Sequence, residues 1–341
     1  MVAPHGSRGL TRRRWTVAVG VAGVVGPAVL RAQPRLRLRL AHVVAPDTPK
    51  GLMATRLQAL LAQRSEGAVV LDVYPNGSLY SDADELEALQ WGAVELLIPS
   101  LSKFGRLGTA VFELFDLPFL FADRAAVRRV VEGEWARELF EPLQRHGLLG
   151  LGFLDNGFKH MSARTHPLRE PRDYRGLRMR VQPSLTIAAQ MRALGAYPVM
   201  MDFAATRHAL ARGVVDGTEN PLTNFWSGRM HEVQRHLTLS AHGYLGYAVV
   251  ANATFWAHLP QPERRLIEVA LADAIAFGNA MALQQEQRAL QALRDDGRIQ
   301  LHYPSPEERE ALRQAMAPAD DALAARIGPR WVRAMRERAQ A

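Results

Sequence analysis

Gly176-Leu177-Arg178-Met179-Arg180-Val181-Gln182 is the stretch on which the fold turns. Its residues alternate in character. Met179 and Val181 fall on one face of a short strand, Arg178 and Arg180 on the other. In an open α/β sheet, ligands gather beyond the carboxyl ends of the strands, and Arg180 is nearer that end than Arg178. A guanidinium fork placed there matches a carboxylate with two parallel hydrogen bonds, which a lysine cannot do.

Outward from this strand, the pattern repeats. After it, Ser184 is placed to cap a helix running through Leu194; residues 197–201 read as a strand, and residues 203–211 as a short helix ended by Gly213. Asn220 precedes Pro221, which biases it to an extended backbone, and strand-like segments recur over residues 236–250. Before it, residues 148–154 form a strand that runs into Asp155-Asn156-Gly157-Phe158-Lys159, a crossing from one domain to another. Further upstream, Leu36, Leu38 and Leu40 alternate with arginines in a first strand. Thr48 and Pro49 open a helix, and residues 68–74 are a second strand stopped by Pro75-Asn76-Gly77. Ser81 with Asp84 resembles a capping box for a helix through Trp91, and residues 94–98 are a third strand. Strands alternating with helices imply a mainly parallel sheet with helices on both faces.

The dense apolar run over residues 112–121 reads as core, and residues 125–144 as a helix. Residues 261–295 form one long helical pattern, with Leu266, Val269, Ala270, Ala274, Phe277 and Met281 on one face. That length, about 50 Å, exceeds what one small domain needs, so the helix leans on both. The tail from residue 304 is helical, with Pro318 and Gly328-Pro329 as breaks.

The 341 residues allow two domains, and the apolar (48%) and charged (22%) fractions are those of a globular protein. With no cysteine there is no disulfide framework and no thiolate chemistry. The formal charge of +8 is concentrated: five arginines and no acid lie in the first 33 residues, leaving +3 for the rest. No basic run interleaved with aromatics occurs, so nucleic-acid binding is not expected. The Gly-x-Ser-x-Gly elbow and the P-loop are absent, and His231-Glu232 has its next histidine, His236, one position too far for a zinc-binding pair. No metal, cofactor or catalytic residue is assigned.

Arg12-Arg13-Arg14, the apolar run over residues 15–30 and a cleavage site near Ala32 form an export signal. Thr11-Arg12-Arg13-Arg14-Trp15 resembles the twin-arginine type, and an uncleaved anchor is the alternative. The mature protein is expected in the periplasm, with no later segment apolar enough to span a bilayer.

Ten segments in order, among them His42-Val43-Val44-Ala45-Pro46-Asp47-Thr48-Pro49-Lys50-Gly51, Pro99-Ser100-Leu101-Ser102-Lys103-Phe104, Asp116-Leu117-Pro118-Phe119-Leu120-Phe121, the Arg180 strand, Glu219-Asn220-Pro221 and His242-Gly243-Tyr244-Leu245-Gly246-Tyr247, resemble the substrate-binding proteins of TRAP transporters, in the C4-dicarboxylate branch. The resemblance covers the mature chain. It implies an α/β clamp of two domains with a ligand cleft between them and a long helix spanning both. The expected boundaries are 34–156 plus about 246–285 for the first domain and 157–245 plus about 286–341 for the second. It further implies capture of a small organic acid such as malate, succinate or fumarate, without chemistry, and delivery to TRAP permease membrane subunits by a monomer.

The family's carboxylate-pairing arginine falls on Arg180, its helper on Lys159, its ligand-binding amide on Asn220 and its cleft aromatic on Phe203. His42, Ser100 and Lys103 match positions that face the ligand from the first domain. Three cations with several donors suffice to desolvate a small diacid. Ala204-Ala205-Thr206-Arg207 departs from the Ser-Glu-Val-Tyr run of many relatives, which leaves a keto acid or an aromatic acid open as ligand. A metal bridging a keto acid, and presentation of ligand to a sensory receptor rather than a permease, also stay open.

Overall fold

The alternation at Leu36, Leu38 and Leu40 builds the first strand of a nine-stranded sheet in the computed structural model, which describes residues 35–340. The export signal lies outside these residues. The strands are β1 (Leu36–Ala41), β2 (Val69–Tyr74), β3 (Leu96–Leu97), β4 (Leu148–Ala163), β5 (Arg178–Val181), β6 (Tyr197–Met200), β7 (Gly217–Pro221), β8 (His236–Asn252) and β9 (Gln300–His302). The helices are α1 (Pro49–Arg64), α2 (Glu85–Gln90), α3 (Arg124–Val131), α4 (Glu134–Glu138), α5 (Leu185–Ala193), α6 (Phe203–Arg212), α7 (Leu222–Ser227), α8 (Ala253–His258), α9 (Gln261–Asp296), α10 (Pro306–Met316), α11 (Pro318–Ile327) and α12 (Pro329–Gln340). Thr48 caps α1 by accepting from the Gly51 amide, and Ser184 caps α5 by accepting from Ile187, as the sequence predicts.

The sheet runs β2-β1-β3-β8-β4-β7-β5-β6, with β9 on β8. Its ends are parallel, as expected; its middle is not. β4 pairs antiparallel with both β8 and β7, and β3 with β8. The expectation of a mainly parallel sheet fails because β4 and β8, of 16 and 17 residues, each run through what sequence periodicity breaks into short pieces. Register shifts between Gly150 and Gly152, Asp155 and Gly157, and Lys159 and Met161 interrupt the alternation that would have marked one strand. The expected boundaries at 156/157 and 245/246 fall opposite one another in this pair, where Asp155 faces Gly246 and Gly157 faces Leu245.

Four buried apolar clusters fix the layers. Toward β1, β2 and β3, one holds Phe104, Phe112, Phe115 and Phe121, the other Leu38, Leu40, Met53 and Ile267. Toward β5, β6 and β7, one holds Met161, Met179, Val181 and Ile187, the other Leu210, Phe225, Met230 and Leu237. Burying each such side chain contributes about 1.5–3 kcal/mol. The tail divides between them: Leu312 and Met316 of α10 join the cluster around Met179, whereas Leu323, Val332 and Met335 of α11 and α12 join the one around Phe112.

Local expectations need correction in four places. Residues 125–144 are not one helix but α3, α4 and a 3-10 turn, because Gly133 sits at φ +94°, a backbone no helix accepts. Ser81 does not start a helix: its hydroxyl donates to Asp84 Oδ2 (2.7 Å) and accepts from the Ala83 amide, closing a turn before α2 begins at Glu85. In α9, Val269 and Phe277 are exposed, and the buried face is Ile267, Ala270, Leu271, Ala274, Gly278 and Ala282. The helix lies so close to its neighbours that a Cβ at Gly278 would stand 2.7 Å from Leu154 Cδ1 and 2.8 Å from Met53 Cβ. Finally, α9 is long and apolar enough, by length and composition, to cross a bilayer, contrary to the expectation of no later segment. Its alanine-rich face packs instead in the core with Leu154 and Met53.

Candidate functional site

Beyond the carboxyl end of β5 lies a cavity of about 20 Å³, room for one or two waters. One wall comes from Arg180, Gln182, Phe203 and Asn220; the other from Val43, Lys50, Asp82, Ser100 and Lys103, with Asn224 and Tyr247 between them. Among the described residues the two walls touch at one polar contact: the Phe203 amide, at the start of α6, donates to Asp82 Oδ2 (2.6 Å).

Arg180 is 2% exposed. The strand alternation that sends Met179 and Val181 into the core sends Arg180 to the cavity, while Arg178, nearly at the sheet edge, pairs with Asp216 in solvent. The Arg180 Nε and Nη2 groups both donate to the Met201 carbonyl (3.0 and 2.8 Å), which holds the fork in one orientation. Nη1 is buried with no hydrogen-bond partner among the described residues. Burial lowers the pKa of Arg180, and the nearby Asp82, Glu219 and Asp202 carboxylates work against that. Asn220, on β7, donates from its amide to Thr218 Oγ1 (3.1 Å).

The opposite wall is dense in charge. The Lys103 ammonium pairs with both Asp82 and Glu85. Burial works to lower the Lys103 pKa, but those two carboxylates prevail and raise it. Burial raises Glu85, only partly opposed by Lys103 and Lys50. Lys50 stands in the first turn of α1, donates to the Ile98 carbonyl (2.8 Å) and sits 3.8 Å over the Tyr247 ring. Burial, then Lys103, brings its pKa down to about 7. Ser100 Oγ is buried with no hydrogen-bond partner among the described residues. Beneath, Asn156 donates to Asn224 Oδ1 (3.0 Å) and to the Tyr247 hydroxyl (2.9 Å), and accepts from Thr223 Oγ1 (2.9 Å), joining β4, α7 and β8.

Five sequence-named residues, Arg180, Asn220, Lys103, Ser100 and Phe203, therefore meet at one cavity. Lys159 and His42 do not line it. Lys159 is completely buried in an ion pair with Glu219 (2.7 Å), with Asp116 at 3.8 Å. His42 is buried near Lys50, which together with stronger desolvation holds its pKa at about 3. Arg207, the residue that departs from the relatives' pattern, points elsewhere and pairs with Glu232 (2.5 Å). Lys50, Asp82, Glu85 and Tyr247 are the residues that sequence reasoning passed over. Lys50 carried a signal: a lysine in a helix's first turn opposes the macrodipole, so its place there asks for a reason.

Comparison with known proteins agrees with this geometry. The family model of the bacterial extracellular solute-binding protein, family 7 (DctP), matches residues 40–326. The chain is 45% identical over 328 residues to the C4-dicarboxylate-binding periplasmic protein DctP of Rhodobacter capsulatus, covering 96% of this chain and 98% of that one. A TRAP periplasmic solute-binding protein from Shewanella oneidensis, solved with bound succinate, is 39% identical with a TM-score of 0.87, covering 90% of this chain and 100% of that one. Another from Pseudomonas aeruginosa PAO1, solved with bound L-malate, is 37% identical with a TM-score of 0.82, covering 84% and 99%.

Proposed function

The chain belongs to the bacterial extracellular solute-binding proteins of family 7, and from that premise we propose that it captures a C4-dicarboxylate and hands it to the membrane subunits of a TRAP transporter. The observation that carries this reading is Arg180: a fully buried guanidinium, oriented by Met201, with one unpaired nitrogen at the cavity. An anionic carboxylate is the partner that such a group lacks. The named relatives and solved neighbours carry C4-dicarboxylates, which suits a cavity lined by buried cations.

In this reading Arg180 pairs with one carboxylate, Asn220 and Ser100 donate hydrogen bonds, Phe203 closes one wall and Lys103 sets the local potential. Lys159 and His42 act from behind the lining. Binding involves no bond making or breaking. The domains are 34–156 plus about 246–285 and 157–245 plus about 286–341, with α11 and α12 leaning back on the first. A cavity this small holds no diacid with the walls as they stand, so the Asp82–Phe203 contact opens for entry and the walls close around the ligand at a wider spacing. We take export by the twin-arginine route, a periplasmic monomer and permease docking as parts of the same proposal.

The test is a thermal-shift screen of the mature protein against small organic acids. Ligand at about a hundred times its dissociation constant adds ~2.7 kcal/mol. A shift with succinate, malate or fumarate that vanishes in Arg180→Ala supports the reading. A shift confined to keto acids or aromatic acids moves the ligand within the family; no shift with any acid overturns the carboxylate reading.

A further inference from the structure

Resting on the carboxylate reading above, we propose that Lys50 receives the ligand's second carboxylate and is the residue by which this protein prefers diacids to monoacids. The argument is one of available charge. Three buried lysines could oppose Arg180. Lys103 lies on the cavity wall, but Asp82 and Glu85 already take its ammonium. Lys159 is off the cavity and neutralised by Glu219 and Asp116. Lys50 lines the cavity, and its partners are one backbone carbonyl and the face of an aromatic ring, neither of which carries a formal charge. It is 1% exposed, so water does not compensate it either. A buried ammonium in that condition is the strongest unmet demand for an anion on its wall.

The Tyr247 ring fixes where that demand points. It covers one side of the ammonium at 3.8 Å, and the Ile98 carbonyl holds a second direction, leaving the remaining N–H for the cavity. The groups that face Lys50 are Lys103, which disfavours its charge, and Glu85 and Asp82, which favour it; His42, with its pKa held at about 3, is neutral between pH 6 and 9, and Tyr247 stays protonated because burial raises its phenol. Burial and Lys103 together bring the Lys50 pKa down to about 7, so its charge is readily lost near neutral pH. An arriving second carboxylate restores the full charge, so diacid binding takes up a proton. A monoacid engages Arg180 alone and does not.

The experiment compares succinate with succinamate, its monoamide, by isothermal titration calorimetry of the mature protein between pH 6 and 9. In the unaltered protein, succinate binds at least tenfold tighter than succinamate at pH 6. Its affinity falls by up to tenfold per pH unit above 7, because each bound ligand draws in one proton; succinamate affinity stays level. Titration at pH 7.5 in buffers of different ionisation enthalpy shows the uptake directly, with no variant needed. In Lys50→Gln the succinate-to-succinamate ratio collapses toward one and the pH slope disappears. Equal affinities in the unaltered protein, a flat pH profile, or a slope that survives Lys50→Gln and so belongs to Glu85 would each overturn the assignment while leaving Arg180 as the primary anchor. Binding of neither compound would overturn both.

Discussion

Two buried clusters of charge meet along β7, where Glu219 belongs to one and Asn220 lines the other, and they are built to opposite rules. One, at the crossing of β4, β7 and β8, sets Lys159 against Glu219 and Asp116, with His242 Nε2 3.7 Å from Glu219 and Ser102 donating to Asp116 Oδ1 (2.8 Å). One ammonium there serves two carboxylates, and burial pushes Asp116 up to about 7, so a proton on Asp116 brings the set toward balance. The other, at the cavity, gathers Arg180, Lys103 and Lys50 around Asp82 and Glu85, and leaves Arg180 Nη1 unpaired and Lys50 on uncharged partners. Both are equally dry. What separates a structural cluster from a binding one is therefore the balance of charge, since only an unbalanced set gains by admitting a ligand.

Breaking the balanced cluster has the largest expected effect on the fold. Lys159→Met leaves Glu219 and Asp116 buried without their cation, which costs about 3–5 kcal/mol. At roughly 2–4 °C per kcal/mol for chains of about 150–250 residues, and less for a longer one, the melting temperature falls by at most about 6–20 °C. Scanning calorimetry of the ligand-free protein measures it. If the melting temperature holds and diacid affinity collapses instead, Lys159 belongs with the ligand and the contrast between the clusters is wrong.

Arg180→Ala should do the reverse. Losing one partner of a buried charged pair costs ~2–5 kcal/mol of binding, about thirty- to several-thousand-fold in affinity. The ligand-free melting temperature should move less than in Lys159→Met, because what Arg180 holds without ligand is a carbonyl. Arg180→Lys also weakens binding, having a point charge where a fork is needed. Affinity within threefold of the parent in Arg180→Ala would remove the cavity as the site.

Neither rule can be read from a sequence, and the pattern of what was legible follows from that. Alternation in Leu36, Leu38 and Leu40, the caps Thr48 and Ser184, and the stop at Gly213 are local signals, and each element appeared where they placed it. Arg180 was legible for the same reason, since period two sends it to the face opposite Met179. The antiparallel centre was not, because bulges in β4 and β8 break the period on which strand reading depends. The lysines were the hardest. Lys159, Lys103 and Lys50 are chemically identical in sequence, and only the carboxylates that folding brings beside two of them tell them apart.

A smaller effect tests the hydrogen-bonding side of the cavity. Asn220→Ala removes an amide that is buried beside Arg180's wall and already oriented by Thr218. A hydrogen bond to a charged group contributes about 1.5–3 kcal/mol, so diacid affinity falls roughly tenfold to a hundredfold. Calorimetric titration reads it. No change would assign Asn220 to shaping β7 rather than to the ligand.

The histidines sharpen the comparison most finely, because each cluster has one. His242 sits beside Glu219, whose negative charge works against the burial that lowers its pKa. His42 has no such neighbour: burial comes first, Lys50 adds to it, and the pKa drops to about 3. The folded state thus binds fewer protons at His42 than the unfolded chain, whose histidine titrates near 6.5. The stability this confers is present above pH 6.5 and is lost as pH falls toward 3. At pH 5 the loss reaches about 2 kcal/mol, at 1.36 kcal/mol per pKa unit. His42→Leu keeps an apolar side chain of similar bulk and has nothing to protonate. It should shrink the drop in melting temperature between pH 7 and pH 5 by about 4–8 °C. A drop as large as the parent's would mean that His42 takes up its proton alike in the folded and unfolded chains, and at pH 5 one more cation would then stand behind the cavity lining than the balance above allows.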